Sequence, residues 1–568
     1  MKRGVASFND MFRRRLVVIF TVFLVAVLGI ESRFVYLQVV ARATLVNMAN
    51  QQLETDSIPI KAKRGMILDS TGRVLAQDVA TWSLGLYMKE VKDPHVTAAG
   101  IAPILKASVT QLEKQIRNAS PSFIYIRKQV GVVEYEALRR LDVPGIVLDK
   151  GYRRVYPLGA LMSSVVGVTG SDNQGLSGIE FQYDKELGGT SGRHTYRVSG
   201  ANPGEPAVTE EVLEAIPGKN IVLTIDSNIQ YFAQQVLMDT LKTYDGKRAT
   251  CTILDPKTDA VLAMVDVPSV DPVHWQDASI SSLTEKAISA NYEPGSVFKA
   301  VTSVAGLDTG TITLQNTFYS GGSLKVFGTV IHDLYPYGTM NLNAMLQHSS
   351  NVAFAQLSMK IGATRFYDRV RRYGFGKPTG IDLPGEESGI LLPTSLWSNT
   401  TLPTMGFGQG VAVTAIQMAN FYAAIANGGV MQRPYVVDHI VDASGANQRT
   451  DIPGVIGQLF KPETAKALLR GLRGVVQKDV GVFSAYIPGY EVAGKTGTAQ
   501  IAAPGGGYLH DGSYVYSFAG ILTANDPRVV VFLSVHETRQ GERTSFRVAG
   551  PTFKKIALQL IQYLRLKP

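Results

Sequence analysis

The chain has 568 residues, too many for one ordinary domain, so its length predicts at least two. Its formal net charge of +9 comes from dispersed basic residues without an interleaved aromatic stripe, which argues against a nucleic-acid-binding protein. The single cysteine, Cys251, excludes an intrachain disulfide and lies in a strand-like run. We expect it to be a small buried apolar residue rather than a nucleophile, since its motif contains no histidine.

The N-terminus predicts a membrane anchor. Residues 1–15 are basic, which holds that end in the cytoplasm, and an apolar run follows at once. Because Glu31 and Arg33 can snorkel to the interface, a transmembrane helix over residues 16–38 is long enough. A cleaved signal peptide is the alternative, although residues 40–43 form a poor cleavage site. We expect a single-pass protein of the cytoplasmic (inner) membrane, with the remaining chain outside the cytoplasm.

Residues 39–215 are predicted to form a first extracytoplasmic domain of mixed α and β structure. Two strand-like segments, 63–69 and 72–76, flank a Ser-Thr-Gly turn, and residues 110–116 have the pattern of a helix. No nucleophile–base pair is visible in this region, so we expect a structural module. Residues 210–220 resemble a junction to the next domain.

Residues 216–568 are predicted to form an α+β domain whose antiparallel sheet is flanked by helices and closed by strands from both ends. A helix that Asp226 or Ser227 can cap precedes a hairpin of residues 251–254 and 261–265. A largely helical stretch follows, and apolar residues at helical spacing predict a C-terminal amphipathic helix. The last strands are predicted at residues 492–501, 514–522 and 528–535.

Ser296 and Lys299 form a Ser-x-x-Lys tetrad. A serine hydroxyl needs a neighbouring base to become a nucleophile, and positions i and i+3 of a helix share one face. Pro294 and Gly295 place the serine at a helix start, where N–H groups favour negative charge on an attacked carbonyl oxygen. A lysine in a partly dry site beside another cation loses its proton easily and can be the base. An isolated tetrad is more often part of an ordinary surface helix.

A second motif, Ser349-Ser350-Asn351, precedes a helix-like run. By itself it indicates a helix cap. In a catalytic interpretation, Ser349 relays a proton between the lysine and the leaving group. Asn351 would orient Lys299 and donate a hydrogen bond to the substrate amide.

A third motif, Lys495-Thr496-Gly497-Thr498, lies in a strand-like segment. The glycine weakens a strand but lets another backbone or a ligand come close. The two threonine side chains point the same way and, with Lys495, can bind a carboxylate. The N–H of Thr498 can complete an oxyanion hole with that of Ser296. The alternative is an edge strand beside a turn.

The ordered trio is typical of serine β-lactamases and penicillin-binding proteins. Over nearly its whole length the chain resembles the class B penicillin-binding proteins, which are monofunctional peptidoglycan D,D-transpeptidases. Residues 64–69, 154–157 and 175–180 resemble motifs of the family's pedestal. Residues 374–376 and 380–385 are most similar to the cell-division and sporulation branch.

The resemblance implies an N-terminal anchor, an elongated mixed α/β pedestal of the dimerisation type, and a C-terminal serine transpeptidase domain with a β-lactamase-like fold. By resemblance, Ser296 is acylated and Lys299 is its base. The implied catalytic residues are Ser296, Lys299, Ser349, Asn351 and Lys495, and the implied substrate-binding residues are Thr496, Gly497 and Thr498.

The implied reaction takes a D-Ala-D-Ala donor, releases D-Ala and passes the acyl group to an amine on a second stem peptide of the septal cell wall. β-Lactam antibiotics would acylate and inhibit the same serine. No metal or organic cofactor is implied. The implied partners are peptidoglycan stem peptides, β-lactams, a multi-span membrane glycosyltransferase and other division proteins.

Two alternatives stay open: a β-lactam-binding D,D-carboxypeptidase and a non-catalytic division scaffold or sensor. A carboxypeptidase or soluble β-lactamase shares the motifs but needs neither anchor nor pedestal. Two departures from the family pattern are visible. Ser70 replaces a common arginine, which puts a pedestal ion pair in doubt, and Ala415 replaces a common proline at a helix start, which costs little.

Overall fold

The computed structural model describes residues 4–42, 55–119, 123–197, 210–442, 444–448, 454–478, 481–503, 507–509, 512–539 and 544–568. The chain divides into two compact units. The first unit comprises Met1–Ala62 and Thr190–Ile216, and the second comprises Lys63–Gly189 and Pro217–Pro568.

The first unit contains an apolar helix. Helix α1 (Gly4–Val35) continues as a short π-helix (Tyr36–Val40). The stretch Phe12–Val39 is 28 residues long, and its length and composition suffice to cross a membrane, since about 20 apolar residues span a bilayer core. The predicted anchor, 16–38, lies within this stretch.

The first unit also contains a small antiparallel sheet. Its strand order is β1-β6-β7, so the chain leaves the unit after β1 and returns at β6. Residues 210–213 were expected to belong to a junction, and they form a strand instead. The strands are β1 (Thr55–Ile60), β6 (Gly192–Arg197) and β7 (Glu210–Leu213).

In the second unit, one sheet joins early and late parts of the chain, in the order β17-β16-β8-β2-β3-β4, with β5 also paired to β3. The predicted pair of strands around the Ser-Thr-Gly turn is confirmed as β2 and β3. The strands are β2 (Ile67–Leu68), β3 (Val74–Tyr87), β4 (Phe123–Val130), β5 (Ile146–Val155), β8 (Asn220–Leu223), β16 (Val437–Val441) and β17 (Asn447–Gln448).

Helices of residues 94–188 accompany this sheet. The predicted helix at 110–116 is confirmed as α3, and its Leu112 and Ile116 pack with Leu84 and Leu86 of β3 in a separate apolar core. Fully burying one such side chain stabilises the fold by about 1.5–3 kcal/mol. The helices are α2 (Pro94–Leu105), α3 (Val109–Arg117), α4 (Val132–Arg139), α5 (Ser163–Val166), α6 (Gly178–Gln182) and α7 (Asp184–Gly188).

Two buried arginines share one glutamate beside β3. The Nε atoms of Arg64 and Arg154 lie 2.6 Å from the two carboxylate oxygens of Glu180. Asp78 accepts the backbone N–H of Arg64 at 2.9 Å and lies 3.3 Å from Arg154 Nη1. This ion cluster therefore forms without a contribution from position 70. Ser70 instead donates its backbone N–H to the carbonyl of Ile225.

A second, fully antiparallel sheet runs in the order β10-β9-β21-β20-β19. The predicted hairpin is confirmed as β9 and β10, and the predicted C-terminal strands join it through β21. Cys251 is completely buried on β9, as expected. The strands are β9 (Arg248–Leu254), β10 (Val261–Val267), β19 (Val492–Gln500), β20 (Tyr514–Leu522) and β21 (Val529–His536).

Helices pack on this sheet as predicted. Helices α8 and α17 contact each other and the sheet, and α15 packs against β9, β20 and β21. The carboxylate of Asp226 accepts the N–H of Asn228 and so caps α8, as the sequence indicated. The helices are α8 (Ser227–Tyr244), α9 (Lys286–Ser289), α10 (Lys299–Asp308), α11 (Leu342–His348), α12 (Asn351–Ile361), α13 (Ala363–Arg372), α14 (Thr401–Met405), α15 (Ala415–Ala426), α16 (Pro462–Val475) and α17 (Ser545–Tyr563).

The stretch predicted to be largely helical also contains short strands. Strands β11 and β14 pair with each other, and β12 and β13 form a hairpin between them. These strands have four residues each, too few for a clear periodicity in the sequence. The additional strands are β11 (Thr317–Ser320), β12 (Ser323–Val326), β13 (Thr329–His332), β14 (Gly338–Asn341), β15 (Val430–Gln432) and β18 (Val455–Gln458).

The ion cluster yields a test of stability. Replacing Glu180 with Gln removes one negative charge from beside two buried guanidinium groups. This should lower the free energy of unfolding by on the order of 3–5 kcal/mol. We expect a lower midpoint in urea denaturation followed by intrinsic fluorescence. The matched control is Glu113→Gln, because Glu113 also pairs with an arginine, Arg117, but at the surface. Equal midpoints for the two variants would contradict this account of the cluster.

Candidate active site

The turn that carries Ser296 is held against strand β19. Residues Gly295–Phe298 form a 3-10 turn that leads into α10, so the tetrad begins in a 3-10 turn and not, as expected, in the first turn of an α-helix. Residues i and i+3 of a 3-10 turn are eclipsed, which keeps Ser296 and Lys299 on one face. Gly295 has φ +56°, and a Cβ atom there would lie 2.5 Å from the carbonyl oxygen of Thr498. Only glycine allows this approach.

Lys299 is fully buried and surrounded by hydrogen-bond acceptors. Its Nζ donates to the carbonyl oxygen of Ser349 at 2.5 Å and to Oδ1 of Asn351 at 2.7 Å, and it lies 3.1 Å from Ser349 Oγ. Burial, and next the nearby ammonium of Lys495, hold the pKa of Lys299 well below its ordinary value, although the Asp333 carboxylate acts in the opposite direction. This environment favours the neutral, basic form of the Lys299 amine over the ammonium.

Ser349 lies between the two lysines because of a left-handed backbone turn. It follows α11 with φ +54°, a conformation that costs a non-glycine residue free energy and is typical of functional sites. Lys495 Nζ donates to Ser349 Oγ at 2.9 Å. The next residue, Ser350, caps α12 by accepting the N–H of Ala353 at 3.0 Å, as the motif indicated.

Lys495 belongs to β19, the edge strand of the second sheet. Only 1% of its surface is exposed, and burial lowers the pKa of Lys495 to about 7. Two residues further, a Cβ atom on Gly497 would lie 2.8 Å from the carbonyl oxygen of Pro294 and would also clash with Ser517. The glycine thus permits the close backbone approach expected from the sequence.

These residues meet at a cleft of about 750 Å³. Of the eight residues proposed from the sequence, Ser296, Ser349, Asn351, Thr496 and Thr498 line it. The two lysines reach Ser349 from within the protein, and Gly497 packs against the serine turn. The other described residues lining the cleft are Gly295, His332, Asp333, Leu334, Tyr337, His348, Phe407, Gln409, Gln500, Tyr514, Thr544, Ser545 and Phe546.

Asp333 holds the second motif in place and was not predicted from the sequence. Its carboxylate accepts the hydroxyls of Ser320 and Ser350 at 2.7 and 2.5 Å. It also accepts the backbone N–H groups of Asn351 and Val352 at 2.5 and 3.2 Å. The aspartate is at least 16 residues from the second motif, so no local pattern could identify it.

A second missed residue is Glu293, three positions before the serine. Its carboxylate accepts the N–H of Gly410 at 2.8 Å and the hydroxyl of Tyr508 at 2.9 Å. It therefore connects two distant segments at the base of the serine turn. Glu293 directly precedes the Pro294-Gly295 pair noted in the sequence, but no sequence pattern indicated its partners.

Comparison with known proteins agrees with this geometry. The penicillin-binding protein transpeptidase domain matches residues 249–558, which is more than half of the chain. The chain belongs to the class B penicillin-binding proteins. The penicillin-binding protein dimerisation domain matches residues 59–223. The family resemblance inferred from the motifs, and the α+β fold class, are thereby confirmed.

Individual relatives match nearly end to end. Penicillin-binding protein PbpB of Mycobacterium tuberculosis is 32% identical, over 95% of this chain and 84% of that protein. Stage V sporulation protein D of Bacillus subtilis is 29% identical, over 99% and 87%. The crystal structure of M. tuberculosis penicillin-binding protein 3 with aztreonam has a TM-score of 0.69 at 28% identity, covering 90% of this chain and 98% of that one.

The close contact between β19 and the serine turn can be tested with Gly497→Ala. The added methyl group forces the two segments apart, and a displacement of about 1 Å in an active site can cost roughly 100-fold in rate. We expect a fall of that order in the rate of labelling by fluorescent penicillin. Gly474→Ala is the control, because a Cβ atom there meets nothing within 4 Å. Normal labelling of Gly497→Ala would contradict the proposed fit.

Proposed function

We propose that this penicillin-binding protein is a peptidoglycan D,D-transpeptidase that cross-links stem peptides through an acyl-enzyme on Ser296. The observation that supports it best is the contact of two buried lysines, Lys299 and Lys495, with the hydroxyl of Ser349 beneath the serine turn. This arrangement supplies a base, a proton relay and a positive field without a histidine.

In the acylation step, Lys299 takes the proton of the Ser296 hydroxyl as Oγ attacks the carbonyl carbon of the penultimate D-alanine. The bond from that carbon to the nitrogen of the terminal D-alanine then breaks. The proton passes from Lys299 through Ser349 to the departing amine, so that Lys299 returns to its neutral form. Asn351, whose Oδ1 accepts from Lys299, fixes the direction of the base.

The oxyanion of this step is assigned to two backbone N–H groups. Ser296 is in the first turn of a helical segment, where N–H groups lack acceptors within the helix. The carbonyl of Thr498 faces Gly295, and in an antiparallel strand the N–H and C=O of one residue point to the same side. The N–H of Thr498 therefore points toward the serine turn too, and a pair of such donors stabilises a developing oxyanion.

The donor's terminal carboxylate is assigned to Thr496, Thr498 and Lys495. The two threonines line the cleft, and the hydroxyl of Thr498 is held 3.0 Å from that of Ser545. Lys495 contributes a positive charge, because an incoming carboxylate stabilises the ammonium form of its side chain. β-Lactams carry an equivalent carboxylate and an amide that Ser296 opens, so we expect them to acylate the same residue.

The carboxypeptidase alternative requires a group that activates water for deacylation. Among the described residues that line the cleft, Asp333 is the one with a carboxylate side chain. Its oxygens already accept four hydrogen bonds. Transfer to an amine is the function that this arrangement favours. A purely scaffolding role would not require two buried lysines in contact with the hydroxyl of Ser349.

We also propose the organisation of the chain from the anchor outward. Residues 1–15 lie in the cytoplasm, 16–38 cross the inner membrane, 39–215 form the pedestal and 216–568 form the transpeptidase domain. The helix Phe12–Val39 and the dimerisation-domain match over 59–223 support this division. Expected partners are a multi-span membrane glycosyltransferase and division proteins, contacted through anchor and pedestal at the septum.

Covalent labelling tests the nucleophile. Ser296→Ala should abolish labelling by fluorescent penicillin, and Lys299→Ala should slow it by about 100-fold or more, as expected for loss of a general base. The control Ser281→Ala removes an exposed serine and should label normally. Labelling of a folded Ser296→Ala protein, or near-normal rates for Lys299→Ala, would refute these roles.

The pH dependence tests Lys495. With its pKa lowered to about 7, Lys495 is cationic below that pH and loses its charge above it. The acylation rate constant for a carboxylate-bearing penicillin should therefore decline as pH rises through 7, whereas that for an ester lacking the carboxylate should not.

Replacing Lys495 with Ala should raise the activation free energy of acylation by roughly 2 kcal/mol more for the carboxylate-bearing substrate than for the ester. Hydrogen bonds to charged groups contribute about 1.5–3 kcal/mol. The measurement compares the two acylation rate constants in each protein. Equal losses for both substrates would argue against carboxylate binding.

A further inference from the structure

One part of the cleft lining supplies no reacting group to the acylation step. It consists of His332, Asp333, Leu334, Tyr337 and His348, which we call the 332–348 wall. His332 ends β13, Tyr337 precedes β14 and His348 ends α11. The wall adjoins Ser349 and Asn351 in the chain, so it lies beside the proton relay.

The 332–348 wall is held rigidly to the catalytic motif. Three of the four hydrogen bonds of the Asp333 carboxylate fix it to the start of α12, and Asn351 Nδ2 donates to the carbonyl of His332 at 3.2 Å. The ring of Tyr337 stacks on the imidazole of His348, with centroids 4.7 Å apart and planes at 21°. The imidazole is thus oriented by its neighbour, and a site of this kind suits the positioning of a second reactant.

The chemistry of the 332–348 wall is opposite to that of β19. Strand β19 offers Lys495 and hydroxyl groups, which suit a carboxylate. The wall offers the negative field of Asp333, two imidazoles and a phenol, and none of its residues carries a positive side chain as a fixed charge. An ammonium group is attracted to such a surface, and imidazole is the side chain best suited to exchange a proton near neutral pH. The exposed side chain of Leu334 adds an apolar contact.

We propose that the 332–348 wall is the subsite for the second substrate, the peptide whose primary amine accepts the acyl group, with His348 as the base that deprotonates it. This inference rests on the proposed transpeptidase function. We assign an amine-bearing peptide to this subsite for two reasons. The wall carries a negative charge, and it is continuous with the site of the acyl-enzyme.

The transfer step moves two protons and replaces one bond to the acyl carbon with another. The acceptor enters as an ammonium and gives one proton to the imidazole of His348, which later returns it to water. The free amine attacks the ester carbonyl carbon of the acyl-enzyme, a carbon–nitrogen bond forms, and the bond from that carbon to Ser296 Oγ breaks. The second proton of the amine passes through Lys299 to Ser296 Oγ, which restores the free serine.

The test is the partition of one acyl-enzyme between amine and water. The full-length protein in detergent is given a benzoyl-D-alanyl thioester as donor and D-alanine as acceptor, and the ratio of amide to acid product is measured by mass spectrometry. This ratio is independent of how fast the acyl-enzyme forms. His348→Gln should lower it by about 100-fold, as expected for a lost base, and Leu334→Ala should raise the KM for D-alanine.

Tyr319→Ala is the matched control. Tyr319 is an aromatic residue of β11, 65% exposed and outside the cleft lining, so its variant should keep the wild-type ratio. The deficit of His348→Gln should shrink as pH rises above the pKa of the acceptor amine, because the amine then enters without its extra proton. A purely structural effect of the substitution would persist at high pH.

The outcomes separate this inference from the proposed function. If the wild-type protein forms no acyl-enzyme, the transpeptidase function itself fails. If the acyl-enzyme forms and His348→Gln keeps the wild-type ratio, or if its deficit persists at high pH, the assignment of His348 is wrong. If Leu334→Ala leaves the KM for D-alanine unchanged, the 332–348 wall is not the acceptor subsite.

Discussion

The active site depends on the burial of two lysine amines, those of Lys299 and Lys495, against the single hydroxyl of Ser349. Removing an ammonium from water is costly, so burial lowers both pKa values, and the nearby Lys495 ammonium lowers the pKa of Lys299 further. Asp333 offsets part of this effect at Lys299. Burial disfavours the ammonium form, so a lysine that would be a cation in water can act as a base here.

The fold maintains this arrangement by packing together two segments that are about 200 residues apart in the chain. The serine turn and β19 approach so closely that Gly295 meets Thr498 and Gly497 meets Pro294, backbone to backbone. The left-handed turn at Ser349 then aims its hydroxyl between the lysines. Because β19 is an edge strand, its outer N–H and C=O groups stay available to a ligand, whereas an inner strand would have used them for pairing.

Much of this could be predicted from the sequence, because it depends on local patterns. Strand 514–522 was predicted with its observed bounds, and the short polar side chain of Asp226 correctly indicated the start of α8. The convergence of three motifs followed from their order and from family resemblance. The strands β11 to β14 were missed because each is short and half exposed. Asp333 was missed because its role depends only on the tertiary contacts that those strands create.

The central claim is that Lys299 is a neutral amine in the resting protein. The most direct measurement is a pH titration of its side chain by NMR, with 13C-labelled lysine in the full-length protein and Lys299→Arg used to assign the resonance. The account requires a pKa far below the ordinary value of about 10.4, so that the amine is uncharged at neutral pH. A resonance that titrates near the ordinary value would contradict it.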